Sequence, residues 1–171
     1  MAYATVNPTP PIAVDGPWVK VKGPITQSTS EVVGNDVLTK GVTVREGTAL
    51  ETISACPQWS LSIWVDAYVQ RRNLLGTSIS YRFHQGVTVC YDGVNTTGVT
   101  YRNGYITNTD GLHQYKGLIG QYEVGLWSPV YTSFMQGEVD NCWGNVCGNT
   151  YYPWVKINVN GQGGYSFDGR A

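Results

Sequence analysis

An all-β fold, an antiparallel β-sandwich with little or no helix, is the class this sequence predicts. Three observations carry the prediction. Apolar residues recur with period two along most of the chain, and no segment shows a capped helical period. Turn signals separate the alternating runs about every 8–14 residues. Charged residues make up only 13% of the chain while hydrophobic residues reach 42%, so a core is available and the polar surface must come from Thr, Asn, Ser, Gln and Tyr. The 171 residues suit one domain of about 9–11 strands, connected like a jelly roll or an immunoglobulin sandwich.

The elements follow in order. Residues 1–16 hold Pro8, Pro10 and Pro11 and read as an extended arm ahead of a domain over 17–171. WVKVK (18–22) alternates. VLTKGVTVRE (37–46) reads as a strand pair, or as one strand broken at Gly41. SLSIWVDAYVQ (60–70) is the clearest strand: Leu61, Ile63, Val65, Ala67 and Val69 form one face, and Ser62, Trp64, Asp66, Tyr68 and Gln70 the other. TSISYRFH (77–84) and GVTVCYDG (86–93) come next. In TGVTYRNGYIT, Asn103-Gly104 is a strong hairpin signal. YKGLIGQYEVGLW (115–127) and VYTSFMQGEV (130–139) pair across Ser128-Pro129. A last hairpin turns around Asn160-Gly161, with Val155, Ile157 and Val159 inward.

The four cysteines are even in number and sit in a turn-rich, weakly charged chain, which points to disulfides in an oxidising compartment. Cys142 is expected to pair with Cys147, and Cys56 with Cys90. No second short Cys or Cys/His pair completes a zinc site, and no C-x-x-C is present, so neither a metal nor a cofactor is expected. The start has no basic and apolar leader, so the expectation is a secreted protein in its mature form.

The net charge of −1 and the lack of any long basic run argue against nucleic acid, and no apolar stretch reaches the ~18 residues of a membrane span. The surface with most chemical promise is the polar face of 60–70. Trp64, Asp66 and Tyr68 project about 7 Å apart along it, and a hairpin with 77–84 would add Arg82 and His84. Aromatic rings beside a carboxylate suit the C–H faces and hydroxyls of a sugar; the same residues would serve equally as cross-strand packing. A second aromatic group, Trp143, Tyr151, Tyr152 and Trp154, follows the Cys142–Cys147 loop. Glu123 and Glu138 are the pair that could face each other as in a glycosidase, which needs carboxyls about 5 Å apart. No motif assembles acid, base and nucleophile, so a non-catalytic role is favoured. The expected function is a secreted module binding a glycan or other cell-surface ligand. The alternatives are an assembly subunit, self-associating through the arm, and a small glycoside hydrolase.

Overall fold

The computed structural model describes residues 24–47, 56–57, 59–75 and 78–171, and of Val19–Lys20 the backbone alone. The arm over residues 1–16 lies outside the described residues. Among the described residues eleven strands appear: β1 (Val19–Lys20), β2 (Ile25–Val33), β3 (Asp36–Glu46), β4 (Leu61–Asn73), β5 (Ile79–Tyr91), β6 (Thr96–Thr107), β7 (His113–Val124), β8 (Val130–Trp143), β9 (Val146–Tyr151), β10 (Trp154–Asn160) and β11 (Gly164–Arg170). They form two antiparallel sheets, one ordered β2-β3-β4-β5-β6 and one ordered β1-β11-β10-β8-β7, with β9 also on β8. The sandwich is as expected. Its connections are simpler than Greek keys, because each sheet is a meander of strands nearly consecutive in sequence.

The period-two pattern explains how the sheets meet. β4 sends Ile63, Val65, Ala67 and Val69 inward, all at most 1% exposed. β3 adds Val42 and Val44, and β5 adds Phe83, Val87 and Val89. The facing sheet answers with Tyr131 and Met135 of β8, Val155, Ile157 and Val159 of β10, and Tyr165 of β11. Each such side chain contributes about 1.5–3 kcal/mol by leaving water. Leu61 lies on this face by parity, yet it is 62% exposed.

Three glycines read as breaks turn out to be strand interiors. Asn103-Gly104 makes no hairpin: β6 runs through it, with Gly104 opposite Gln85. A Cβ on Gly104 would lie 2.8 Å from both Leu118 Cδ2 and Met135 Sδ, so glycine is there for close approach between sheets. β3 likewise continues through Gly41, and β5 joins 79–84 and 86–91 through Gly86 into one strand. The true break is at Pro153. β9 and β10 lie in succession along the same side of β8, and Pro153, which has no N–H to give a ladder, accepts the Gly137 N–H on its carbonyl at 2.9 Å.

One polar group is built into the core. Gln85 is fully buried and donates to Ser133 Oγ on the opposite sheet at 2.5 Å. Arg102 donates to the same oxygen at 2.8 Å, then to Gln121 Oε1 and to the Tyr122 and Phe134 carbonyls, which closes the β6/β7 edge. Both expected disulfides are formed, Cys56–Cys90 and Cys142–Cys147.

Asx turns are fixed by carboxylates. Asp92 accepts the Val94 and Asn95 amides, and Asp110 the Leu112 and His113 amides. The two amides hold the Asp92 carboxyl below its ordinary value. At Asp110, burial pushes upward, but the His113 ring and the same two amides outweigh it and the value is lowered. Asp168 is also lowered, its burial outweighed by Lys40 and the Gly169 amide. Groups depressed by folding stabilise the native state above their unfolded values and stop doing so as pH falls through the folded ones. The unfolding midpoint should therefore be flat from neutral pH to about 5 and decline below about 4, with a smaller decline in Asp110→Asn. The disulfides give a second expectation. The 34-residue separation of Cys56–Cys90 constrains the unfolded chain more than the 5-residue separation of Cys142–Cys147. Replacing both members by Ala should cost about 4 kcal/mol for the first and about 2 kcal/mol for the second, read by denaturant unfolding.

Candidate functional site

The outer face of the five-stranded sheet carries every side chain expected to bind. Register places Gln70 opposite Arg82, Tyr68 opposite His84, Asp66 opposite Gly86 and Trp64 opposite Thr88 on β4 and β5. On the far side of β5, Thr107 faces Arg82, Tyr105 faces His84 and Tyr101 faces Thr88. Directly opposed residues in an antiparallel pair share a face. Trp64, Asp66, Tyr68 and Arg82 are thus brought together with His84, and Tyr101, Tyr105 and Thr107 join them. The last three were missed because the N-G signal divided their strand. Once β6 is continuous, its period of two places them on this face.

The hydrogen bonds fix this group rigidly. His84 Nδ1 lies 2.9 Å from Asp66 Oδ2, and Tyr105 donates its hydroxyl to Asp66 Oδ1 at 3.1 Å. A carboxylate only accepts, so Nδ1 carries the proton, and Nε2 can then accept from the Thr107 hydroxyl at 2.9 Å. Burial, and then the neighbouring Asp66, raise the Tyr105 hydroxyl well above its ordinary value, which keeps it a donor. The His84 and Tyr105 rings stack 4.7 Å apart, only 8° from parallel. Arg82 donates Nε and Nη2 to Gln70 Oε1 at 2.9 and 2.5 Å, and its guanidinium lies 4.4 Å from the centre of the Tyr68 ring. Arg45 lies 5.1 Å from the Trp64 ring centre in the same way. A guanidinium therefore occupies one face of each predicted platform ring, which leaves ring edges and the opposite faces uncovered by these contacts.

Glycine completes the surface. A Cβ on Gly41 would come 2.3 Å from Tyr68 Cζ, so that ring lies directly over the Gly41 backbone. Tyr101 approaches Gly86 similarly, at 2.9 Å from the would-be Cβ.

Thr107, His84 and Asp66 stand in the order of nucleophile, base and carboxylate. The His84 ring is stacked against Tyr105, and β5, which carries it, is paired on both sides. The chain of bonds positions Asp66.

The other sequence candidates fall elsewhere. Glu123 pairs with Ser133 and Glu138 with Gly117 along β8. They lie five β8 register positions apart, roughly 17 Å, and on opposite faces, so this pair cannot flank one glycosidic bond. Glu123 instead accepts the Tyr131 hydroxyl at 2.7 Å. Asp140 lies beside Cys142 and Cys147, but the disulfide leaves no thiolate for a metal. In the second aromatic group, Trp154 packs on Phe134, Tyr151 packs with Tyr81 and His113, and Trp143 stands 79% exposed on the stapled β8–β9 hairpin. Among the described residues the most exposed indole is Trp59, at 94%, and Trp127 is 68% exposed; both have positive φ, of 74° and 60°.

The Tyr68–Gly41 contact yields an expectation. In Gly41→Ala the Tyr68 ring must swing away and leave Arg82 uncovered, at a cost of about 1–3 kcal/mol. Most of that cost should vanish when Tyr68→Ala is already present, a coupling read by a double-mutant cycle in denaturant.

No family model, curated protein or solved structure matches the chain, so its function is read from this geometry.

Proposed function

We propose that the protein is a secreted or cell-surface, non-catalytic binding module whose ligand is a glycan or a similarly hydroxyl-rich surface. It uses the outer face formed by Trp64, Asp66, Tyr68 and Arg82, with His84 and Tyr105 behind them. One observation carries the reading. A set of polar and aromatic side chains pointing away from the core is held in fixed geometry, bond by bond, with Asp66 and His84 each 8% exposed and Trp64, Tyr68 and Arg82 partly exposed. Groups already immobilised lose little entropy on binding, which favours affinity from few contacts. The rings offer apolar edges and remaining faces, Arg82 offers donors, and Asp66 retains acceptor capacity for hydroxyls. Two disulfides fit an oxidising environment, where such modules work. Among the described residues no helix is long and apolar enough to cross a membrane. An assembly role is the second reading, and the open edge of β2 favours it.

The test is a glycan array followed by calorimetry on any hit. Trp64→Ala and Arg82→Ala should each weaken binding about tenfold or more, with near-native near-ultraviolet circular dichroism, as expected for anchors at the centre of an interface. Binding that survives both substitutions would place the ligand elsewhere.

A further inference from the structure

The edges of the two sheets are protected in different ways, with one exception. β6 carries two bulges and turns Arg102 inward. β7 carries two bulges, one beside Lys116. β9 has six residues. β1 covers the start of β11 at Gly164 and Tyr165, and the rest of that strand bears Asp168 and Arg170. Bulges, brevity and charge are the usual means of keeping an edge from pairing.

β2 has no bulge, is not short and carries little charge. It is nine residues long, ITQSTSEVV, with no Pro, Lys or Arg, and Glu31 is its one charge. Its register with β3 is unbroken from Ile25↔Val44 to Val33↔Asp36. Thr26–Val33 are exposed on both faces. Among the described residues no strand pairs with its outer side.

We infer that the β2 edge joins a second copy of this chain, by antiparallel pairing about a two-fold axis through Thr29. The strand's own sequence favours that occupant. A two-fold at Thr29 sets Thr29 against Thr29 of the other copy and Ser28 against Ser30. Gln27 then meets Glu31, Thr26 meets Val32 and Ile25 meets Val33. The single carboxylate thus faces an amide instead of its own image, and the apolar ends face each other. Like charges directly opposite would oppose pairing, and this register has none. Identical patches related by a two-fold form a closed interface, so pairing stops at the dimer. An axis perpendicular to the sheet keeps Thr26, Ser28, Ser30 and Val32 of both copies on one side. The two outer faces then join into one ten-stranded surface. This inference does not rest on the ligand proposed for that face.

Light scattering and sedimentation of the full chain test it. The wild type should form dimers with a dissociation constant of about 100 μM or tighter. In Thr29→Glu the new carboxylate lies opposite Lys40 in its own sheet but opposite itself across the axis. Dimerisation should weaken about tenfold with the unfolding midpoint unchanged, and recover in high salt. In Gln27→Lys two new pairs with Glu31 form across the axis, and association should tighten about threefold to tenfold. A wild type monomeric at about 1 mM would overturn the inference. So would association insensitive to both substitutions, which would assign contact to another surface or to the N-terminal arm. Gln27→Lys keeps the inference open to refutation should Thr29→Glu fail to fold.

Discussion

Hydrogen bonds hold each sheet together, but between the sheets the bond is almost entirely an apolar layer. Valines and isoleucines of β3, β4 and β5 close against those of β10, with Tyr131, Met135 and Tyr165 filling the ends. Every other feature depends on this contact. A strand that commits alternate side chains to the layer must send the rest outward, so the layer selects which residues form the outer face. Tyr68 and Asp66 stand beside His84 because Val65, Ala67 and Val69 are buried on the other side. The buried Gln85–Ser133 bond crosses the same layer, and Arg102 seals its edge.

Much of this was legible in the sequence. Alternation in β4 and β10 gave the two faces and, Leu61 apart, the core residues, because period two in a strand has only one geometric meaning; it did not show that Ser62, Asp66 and Asn158 on the other faces are buried. The cysteine pairs were also legible, one from its short spacing and the other by elimination. The glycines were not. A glycine in an alternating run signals either a backbone that must turn or a backbone that something must approach. At Gly41 the visitor is Tyr68, at Gly86 it is Tyr101, and at Gly104 it is Leu118 with Met135. Each is remote in sequence, so the choice between turning and contact rests on pairing that local pattern does not encode. Reading Asn103-Gly104 as a turn also hid Tyr105 and Thr107, half of the hydrogen-bond chain that fixes Asp66.

The outer face differs in character from the platform the sequence suggested. Free aromatic faces would bind by stacking, whereas here guanidinium groups and neighbouring rings already occupy several of them. Such a surface is held in place by its own contacts, and its polar groups stand at fixed positions. The carboxylate pair Glu123 and Glu138 shows the opposite case: residues close on one hairpin in sequence were parted by parity, which puts them on opposite faces of their sheet.

The meander wiring has a further consequence. From β2 onward the described strands change sheet once, across the segment 108–112 that links β6 to β7. Each disulfide closes within its own sheet's stretch of chain, Cys56–Cys90 before that crossing and Cys142–Cys147 after it. Apart from the short β1–β11 pairing, each sheet is therefore built from its own stretch of chain, and neither disulfide spans the five-residue link. A chain severed there would yield two complementary pieces, β1–β6 and β7–β11, each with one oily side, whose natural remedy is to find the other.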